Sequence, residues 1–314
     1  MVDWEFKVFG NAEIIRSKKP IALTIGNFDG VHKGHMQLLQ KLAEFADGIP
    51  RVVLTFDPHP SSVVAVENSK PALISLAQKI ELLLTAGVDA VVVQKFSPEF
   101  ASLSADDFLF RYLWTEFNIL RCLIGFDFCY GAGRKGDWNH FEKKSGERGV
   151  AACKAEPFLI DGLPVSSSRI RNAVLAADFS LVERLLGRSF CLNGTVVKGD
   201  QRGRQIGFPT ANLGLFDRNC LLPPHGVYAA EVLIEGEQKS RAAVMNCGVR
   251  PTIADGLRLQ IEAHILDFSD DIYGRKISFA LRKFIRTEMK FSDLEHLKRQ
   301  IHDDAMQSRL FFGV

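Results

Sequence analysis

His32 and His35 lie three positions apart, with Gly34 between them, where the apolar run IALTI gives way to a helical pattern in IALTIGNFDGVHKGHMQLLQKL, residues 21–42. Gly26 and Gly30 permit tight backbone at this turn, and Asp29 sits between them. A helix beginning near Gly34 presents unpaired N–H groups and the positive end of its dipole. Two imidazoles at such a turn can converge on one anion, which suits phosphates whose charge grows in a transition state. The plainer alternative is that each histidine caps the helix or pairs with a neighbour. A zinc pair lacks a third ligand at suitable spacing. Strand, glycines, Asp29 and both histidines in this order favour phosphate binding.

A second candidate is VVKGDQRGRQIGFPTANL, residues 196–213, in which a strand runs into Gly199, Gly203 and Gly207 with Arg202 and Arg204 between them. Backbone N–H groups of such a loop can wrap phosphates, although GxxxxGK[ST] is absent and a plain surface loop is the simpler reading. In PTAN, Thr210 offers a hydroxyl and Asn212 a carbonyl, hard oxygen ligands of the kind Mg²⁺ takes. Glu262, in IEAHIL, is by default an outward residue on an alternating strand; inside a barrel mouth it could accept a proton from a primary alcohol. His264 shares its face and is read as structural.

The elements that must hold these residues fall into two grammars. In the first half, near-continuous apolar strands (Ile21–Gly26, Arg51–Phe56, Val88–Gln94, Leu120–Phe126, Val150–Ala155) alternate with helices. This is the pattern of a doubly wound parallel α/β sheet, whose ligands sit at the carboxyl ends of strands. Ser75 with Gln78 and Ser104 with Asp107 read as capping boxes, and Gly87 as a helix stop. After about Gly187 come strand-like segments with Gly- and Pro-containing turns: Phe190–Val197, Val227–Ile234, Arg241–Asn246, Leu257–Leu266 and Ile277–Phe284. A last helix is expected from Ser292, with Glu295 completing a capping box, to about Phe311. The second half is therefore expected to be a small antiparallel β-barrel with a C-terminal helix. The domains are expected at 1–186 and 187–314.

GNFDGVHKGH resembles the (H/T)xGH signature of nucleotidyltransferases, and VSSSRIR (165–171) resembles the ISSTxxR-like segment of the same superfamily. Taken alone, SSSR could equally be an ordinary N-cap with surface arginines; in this company its hydroxyls, amide N–H groups and guanidinium make a triphosphate clamp. TFDPHP (55–60) and GFDFCYGAGRKGD (125–137) narrow the resemblance to the bacterial bifunctional riboflavin kinase/FMN adenylyltransferase family. LLPPHGVYAAEV, MNCGVRPTI, IEAHILDFSDDIYG and RTEMKF resemble further stretches of the kinase half, in the family's order, so the resemblance runs from about Val8 to Phe311.

It implies catalytic roles for His32, His35 and Glu262. It implies ATP contacts from Gly26, Asn27, Phe28, Asp29, Gly34, Ser167, Ser168, Arg171, Gly199, Gly203 and Gly207. Asp127, Arg286 and Glu288 would touch flavin, and Thr210 and Asn212 would hold Mg²⁺, with ATP as co-substrate and riboflavin, FMN and FAD as substrates or products. Small departures are Ser168 and Tyr130, where the family more often has Thr and Phe, and Cys247 and Val249 in NCGVRPT, often NIGTRPT. A tRNA synthetase would want a KMSKS-like loop; a flavin-binding regulator would not need both catalytic sets.

Composition bounds the alternatives. The 314 residues are 46% hydrophobic and 24% charged, as in globular proteins. Residues 1–186 hold 21 Lys+Arg against 22 Asp+Glu, and 187–314 hold 18 against 15, so neither half has a nucleic-acid binder's basic excess. Six scattered cysteines without CxxC fit reduced thiols in the cytoplasm. MVDWEFKVFG is not expected to act as a signal peptide, and no run of about 18 apolar residues suggests a membrane span. The expectation is a cytoplasmic monomer or weak homo-oligomer acting on small molecules, with no nucleic-acid or membrane partner.

Overall fold

The apolar runs of the first half pair side by side. The computed structural model describes residues 4–64, 69–199, 203, 206–217, 219–252 and 256–314. In it β2 (Ile21–Ile25), β3 (Arg51–Asp57), β4 (Ala90–Lys95), β5 (Ile119–Ile124) and β6 (Ala151–Lys154) are parallel, and β1 (Phe6–Gly10) adds an antiparallel edge to β4. The order is β1-β4-β3-β2-β5-β6, and a separate antiparallel pair, β7 (Leu159–Ile160) and β8 (Leu163–Pro164), follows in the chain. From β2 the chain winds one way through β3 and β4, then crosses to the other side with β5 and β6. The switch point therefore lies between β2 and β5, and both the 26–35 turn and the 125–137 segment leave from there. The expectations missed β1 because its residues are only half-buried or exposed, as on an edge strand.

Each face of this sheet is covered. On one side α1 (Lys33–Ala46) and α2 (Leu76–Thr85) bury Leu38, Leu42, Ile80 and Leu83 against Val53 and Val91. On the other, Phe100, Phe108, Tyr112 and Phe117 make edge-on ring contacts that fill much of the second core layer. Ser75 and Gln78 form the expected reciprocal cap at the start of α2, and Gly87 follows its end at φ +87°.

The chain divides into two compact units, Met1–Ser167 and Ser168–Val314. In the second, β9 (Phe190–Val197), β10 (Ala211–Leu215), β11 (Gly226–Ile234), β12 (Arg241–Thr252), β13 (Gly256–Ile265) and β14 (Lys276–Arg286) close into a barrel of order β10-β13-β12-β11-β14-β9, with antiparallel neighbours throughout. β10 was not foreseen because ANLGL has little strand propensity; ladders to β9 and β13 on both sides hold it. The helices α3 (Ser167–Leu175) and α4 (Phe179–Leu186) precede the barrel. Arg282 of β14 ties α4 to it, donating to Glu183 (3.4 Å), Ser189 Oγ (3.0 Å) and Glu231 (3.2 Å).

The last helix, α5 (Leu294–Phe312), starts later than the sequence suggested. Its cap is Asp293, which accepts the His296 N–H at 2.9 Å. A carboxylate complements the helix dipole better than the Ser292 hydroxyl does, and the bonds from His296 hold its pKa down to about 2. α5 lies on the outer barrel face, where Ala305 packs with Val227 and Val244 and Ser308 Oγ donates to the Ala243 carbonyl at 3.0 Å. Asp304, 2% exposed, takes two bonds from the Arg286 guanidinium, at 2.9 and 2.7 Å. Breaking one side of such a buried pair strands the other charge. Asp304→Ala is therefore expected to destabilise the barrel unit by about 3–5 kcal/mol, measured by calorimetry on the full chain.

Candidate active sites

β2 is buried along its whole length and delivers the chain to Gly26, whose N–H bonds the Leu54 carbonyl at 3.0 Å. The turn that follows leaves ordinary backbone: Phe28, Gly30 and Val31 have φ of +49°, +82° and +37°. Such angles are unfavourable for Phe and more so for β-branched Val, and persist only where the surroundings enforce them. Both side chains are 1% exposed. The Asn27 carbonyl accepts from Thr55 Oγ1 at 3.1 Å and Lys79 Nζ at 3.2 Å. The Asp29 carboxylate accepts the Leu73 N–H at 2.8 Å, and its carbonyl accepts from Ser167 Oγ at 2.9 Å.

The turn ends in a cap made by the two histidines. His32 Nδ1 accepts the His35 N–H at 3.3 Å, and His35 Nδ1 accepts the His32 N–H at 3.4 Å. The rings stack at 3.6 Å, with Phe28 4.9 Å from His35. Of the two readings posed, the geometry shows the cap, which also stacks the two rings. With each Nδ1 accepting a backbone N–H, the proton of each neutral ring is on Nε2, so the cap fixes both tautomers as Nε2–H donors. Gly34 lies against this pair: a Cβ there would come within 3.2 Å of the His32 ring.

The structure thus gathers Gly26, Asn27, Phe28, Asp29, His32, Gly34, His35 and Ser167 around one helix start. The SSSR segment was read as an N-cap or a phosphate clamp; the Ser167 hydroxyl donates to the Asp29 carbonyl. Ser168, exposed, and Arg171, 6% exposed, belong to the second compact unit. At the end of β5, Asp127 is exposed in the turn that follows Gly125. Tyr130 keeps the ring of the more usual Phe and has a partner for its extra hydroxyl: His140 Nδ1 at 2.6 Å, whose Nε2 lies 3.2 Å from Asp106.

The sequence reading missed Lys79. The residue is 9% exposed, and burial pulls its pKa down to about 8, against the opposing pull of Asp29 and Asp57. A signal was present: Lys79 stands four residues before Leu83, on the buried stripe of α2.

In the second unit, cross-strand register builds the site. Asn212 of β10 opposes Glu262 of β13, which opposes Asn246 of β12; Asn246 opposes Val227 of β11, which opposes Arg286 of β14. Directly opposed residues share a face, so five strands present one row. Ile261, Ala263 and Ile265 are buried inside the barrel, which places Glu262 and His264 on the outer face rather than in a barrel mouth. Beside α5 that face becomes the wall of a cavity of about 310 Å³, lined also by Gly203, Phe208, Thr210 and Glu288.

Within it Thr210 Oγ1 donates to Glu262 at 3.2 Å, and Gln260 Nε2 bridges Asn212 Oδ1 (3.2 Å) and Glu262 (3.4 Å). Asn246 Nδ2 donates to Glu288 at 3.4 Å. The Arg286 guanidinium lines the cavity while committed to Asp304. His264 bonds the Pro209 carbonyl at 2.9 Å and packs edge-on to Phe208, holding the segment that carries Thr210. A second cavity of about 270 Å³ meets the first at Thr210 and is bordered by Ser269, Asp270, Asp271 and Tyr273.

Of the loop glycines, Gly199 lies against Asn212, Gly203 lies against the Phe208 carbonyl, and Gly207 has φ +89°. Arg202 and Arg204 lie outside the described residues.

A reciprocally capped helix start at a sheet's switch point, followed in the chain by a barrel with an oxygen-rich cleft, fits a two-domain transferase of phosphate chemistry. Residues 14–169 match the FAD synthetase family model and residues 186–312 the riboflavin kinase family model. The chain is 42% identical to the bifunctional riboflavin kinase/FMN adenylyltransferase of Escherichia coli K12, covering 93% of each chain. It is 36% identical to that of Bacillus subtilis, covering 93% of this chain and 92% of the other. A solved structure described as a macrolide-efflux protein from Streptococcus pneumoniae is 32% identical, with a TM-score of 0.82 over 92% of this chain and 94% of that one. Among the described residues no helix is long and apolar enough to cross a membrane. The chain belongs to the bifunctional riboflavin kinase/FMN adenylyltransferase family.

A Cβ at position 199 would lie 2.4 Å from Asn212 Nδ2. Gly199→Ala is therefore expected to displace Asn212 and slow riboflavin phosphorylation by up to about 10²-fold, the scale of a 1 Å misplacement. Adenylylation of added FMN by the same preparation is the control.

Proposed function

We propose that residues 187–314 phosphorylate riboflavin to FMN and that residues 1–186 adenylylate FMN to FAD, each with ATP. The observation that carries the first reaction is the row Asn212–Glu262–Asn246, in which a carboxylate stands among hard oxygen donors in a cavity large enough for a flavin ring. The ribityl 5′-hydroxyl attacks the γ-phosphorus of ATP, its proton passes to Glu262, and ADP leaves. Arg286 and Glu288 border the flavin, and the 199–207 backbone holds phosphates. The sugar and base of ATP extend past Thr210 into the second cavity, whose carboxylates can accept hydroxyl protons. Thr210 and Asn212 fit Mg²⁺ as hard oxygen donors in one cluster; the ion would supply charge neutralisation when bound.

In the first unit a phosphate oxygen of FMN attacks the α-phosphorus of ATP, and the bond to pyrophosphate breaks. His32 and His35 donate from Nε2 to phosphate oxygens as their charge grows, aided by the α1 N-terminus. The backbone of 26–29, Gly34 and Ser167 holds ATP, and Asp127 borders the flavin; the motif resemblance adds Ser168 and Arg171 to the ATP contacts. No covalent enzyme intermediate is required. The scattered cysteines, without a CxxC pair, support a cytoplasmic location, and the reading includes a monomer or weak homo-oligomer without nucleic-acid or membrane partners.

The test follows riboflavin, ATP and Mg²⁺ over time by chromatography. FMN should appear first and FAD after it. Removing one good transition-state donor costs about 10²–10³ in rate. His35→Ala should lose FAD formation on that scale while keeping FMN formation, and Glu262→Ala should do the reverse. Unchanged FAD formation in His35→Ala, or unchanged FMN formation in Glu262→Ala, would remove that residue from the mechanism.

A further inference from the structure

Lys79 reaches the phosphate-binding turn from behind. Its Nζ donates to three oxygens, each at 3.2 Å: the Asn27 carbonyl, Thr55 Oγ1 and the Phe56 carbonyl. Thr55 Oγ1 in turn donates to the Asn27 carbonyl at 3.1 Å, so hydroxyl and ammonium close on one point of the turn. The three ammonium donors have three acceptors, and the acceptors join the end of β2 to the end of β3. The carboxylates acting on the ammonium are Asp29 from the turn and Asp57 from β3.

A charge in this place works against stability. The unfolded chain holds the Lys79 proton up to its ordinary pKa of 10.5, whereas the folded chain releases it at about 8. Between those values the unfolded state binds more protons, so stability rises with pH, and at neutral pH the ammonium is a net cost. What it touches is a turn that needs enforcement, with Phe28, Gly30 and Val31 in left-handed backbone just before the His32–His35 cap. Backbone in such regions is kept where it serves a site.

We propose that Lys79 is a positioning residue for adenylyl transfer: its ammonium pins the Asn27 carbonyl and so keeps the 26–31 turn in the shape that presents the capped helix start to phosphates. The inference rests on reading that turn as the adenylyl-transfer site. Lys79 touches no reacting atom. Its effect falls on kcat for FAD formation, and it weakens as the ammonium loses its proton.

The experiment uses the full chain and compares the wild type with Lys79→Met, Lys79→Arg and His35→Ala. FMN adenylylation and riboflavin phosphorylation are measured on each preparation from pH 6.5 to 9.5. Urea unfolding of the first unit is followed by fluorescence, since Trp4, Trp114 and Trp138 all lie there. Lys79→Met is expected to lower kcat for FAD formation about tenfold or more at pH 7, with phosphorylation unchanged and the urea midpoint not lowered. The wild-type adenylylation rate is expected to decline above about pH 8, Lys79→Met to lack that decline, and Lys79→Arg, whose guanidinium does not titrate there, to move it upward.

Wild-type FAD formation by Lys79→Met while His35→Ala is inactive would overturn the role of Lys79 alone. A loss of activity that only tracks a lowered midpoint, with the alkaline decline unchanged in Lys79→Arg, would reduce it to a structural residue. Full FAD formation by both Lys79→Met and His35→Ala would overturn the reading of the turn and this inference with it.

Discussion

The first N–H groups of an α-helix have no partner within the helix, and something must satisfy them. At α1 the chain uses the imidazoles of His32 and His35, each Nδ1 taking a backbone N–H of the other residue. That choice carries consequences outward. It fixes two tautomers, stacks two rings at the positive end of a dipole and leaves little room for a side chain at position 34. It also requires the turn before it to arrive at one angle, which the left-handed residues 28, 30 and 31 provide and the bonds to Asn27 and Asp29 enforce. The sheet contributes the location. β2 and β5 part at the switch point, so a turn leaving β2 opens onto a crevice rather than a neighbouring strand.

The second unit reaches its chemistry by another route. No helix start is used; ladder register alone sets Asn212, Glu262 and Asn246 side by side on three strands. The row faces outward, where polar residues belong on a barrel whose inside is Met245, Cys247 and Tyr228. α5 then lies over that outward face, and a row that would have been solvated becomes the wall of a cleft. The buried pair Arg286–Asp304 ties the covering helix to the end of the row, so one ion pair joins the barrel's closure to the shape of its site.

Several features were legible because they depend on neighbours in the chain. The apolar runs at 21–25, 51–57 and 190–197 became strands where expected, since burial on both faces or strict alternation leaves few other structures. The Ser75–Gln78 cap formed for the same local reason. β1 and β10 were not legible, because an edge strand and a Gly-containing strand owe their form to ladders with distant residues. Ser292 gave way to Asp293 as a cap because two adjacent residues both qualify by type, and the carboxylate complements the helix dipole better than the hydroxyl.

What the sequence by itself determined was the inventory: which turn carries two histidines, which loop carries glycines followed by Thr210 and Asn212, and that a parallel α/β half precedes a β half. Residue type and spacing suffice for these, because they are properties of single elements. The tertiary structure alone decided the rest. It made His32 and His35 a reciprocal, stacked cap, turned Glu262 outward into a covered cleft, committed Arg286 to Asp304, and set the ammonium of Lys79 under the Asn27 carbonyl. Each of these depends on a contact between residues far apart in the chain or on the face a side chain takes after packing, and no local pattern encodes either.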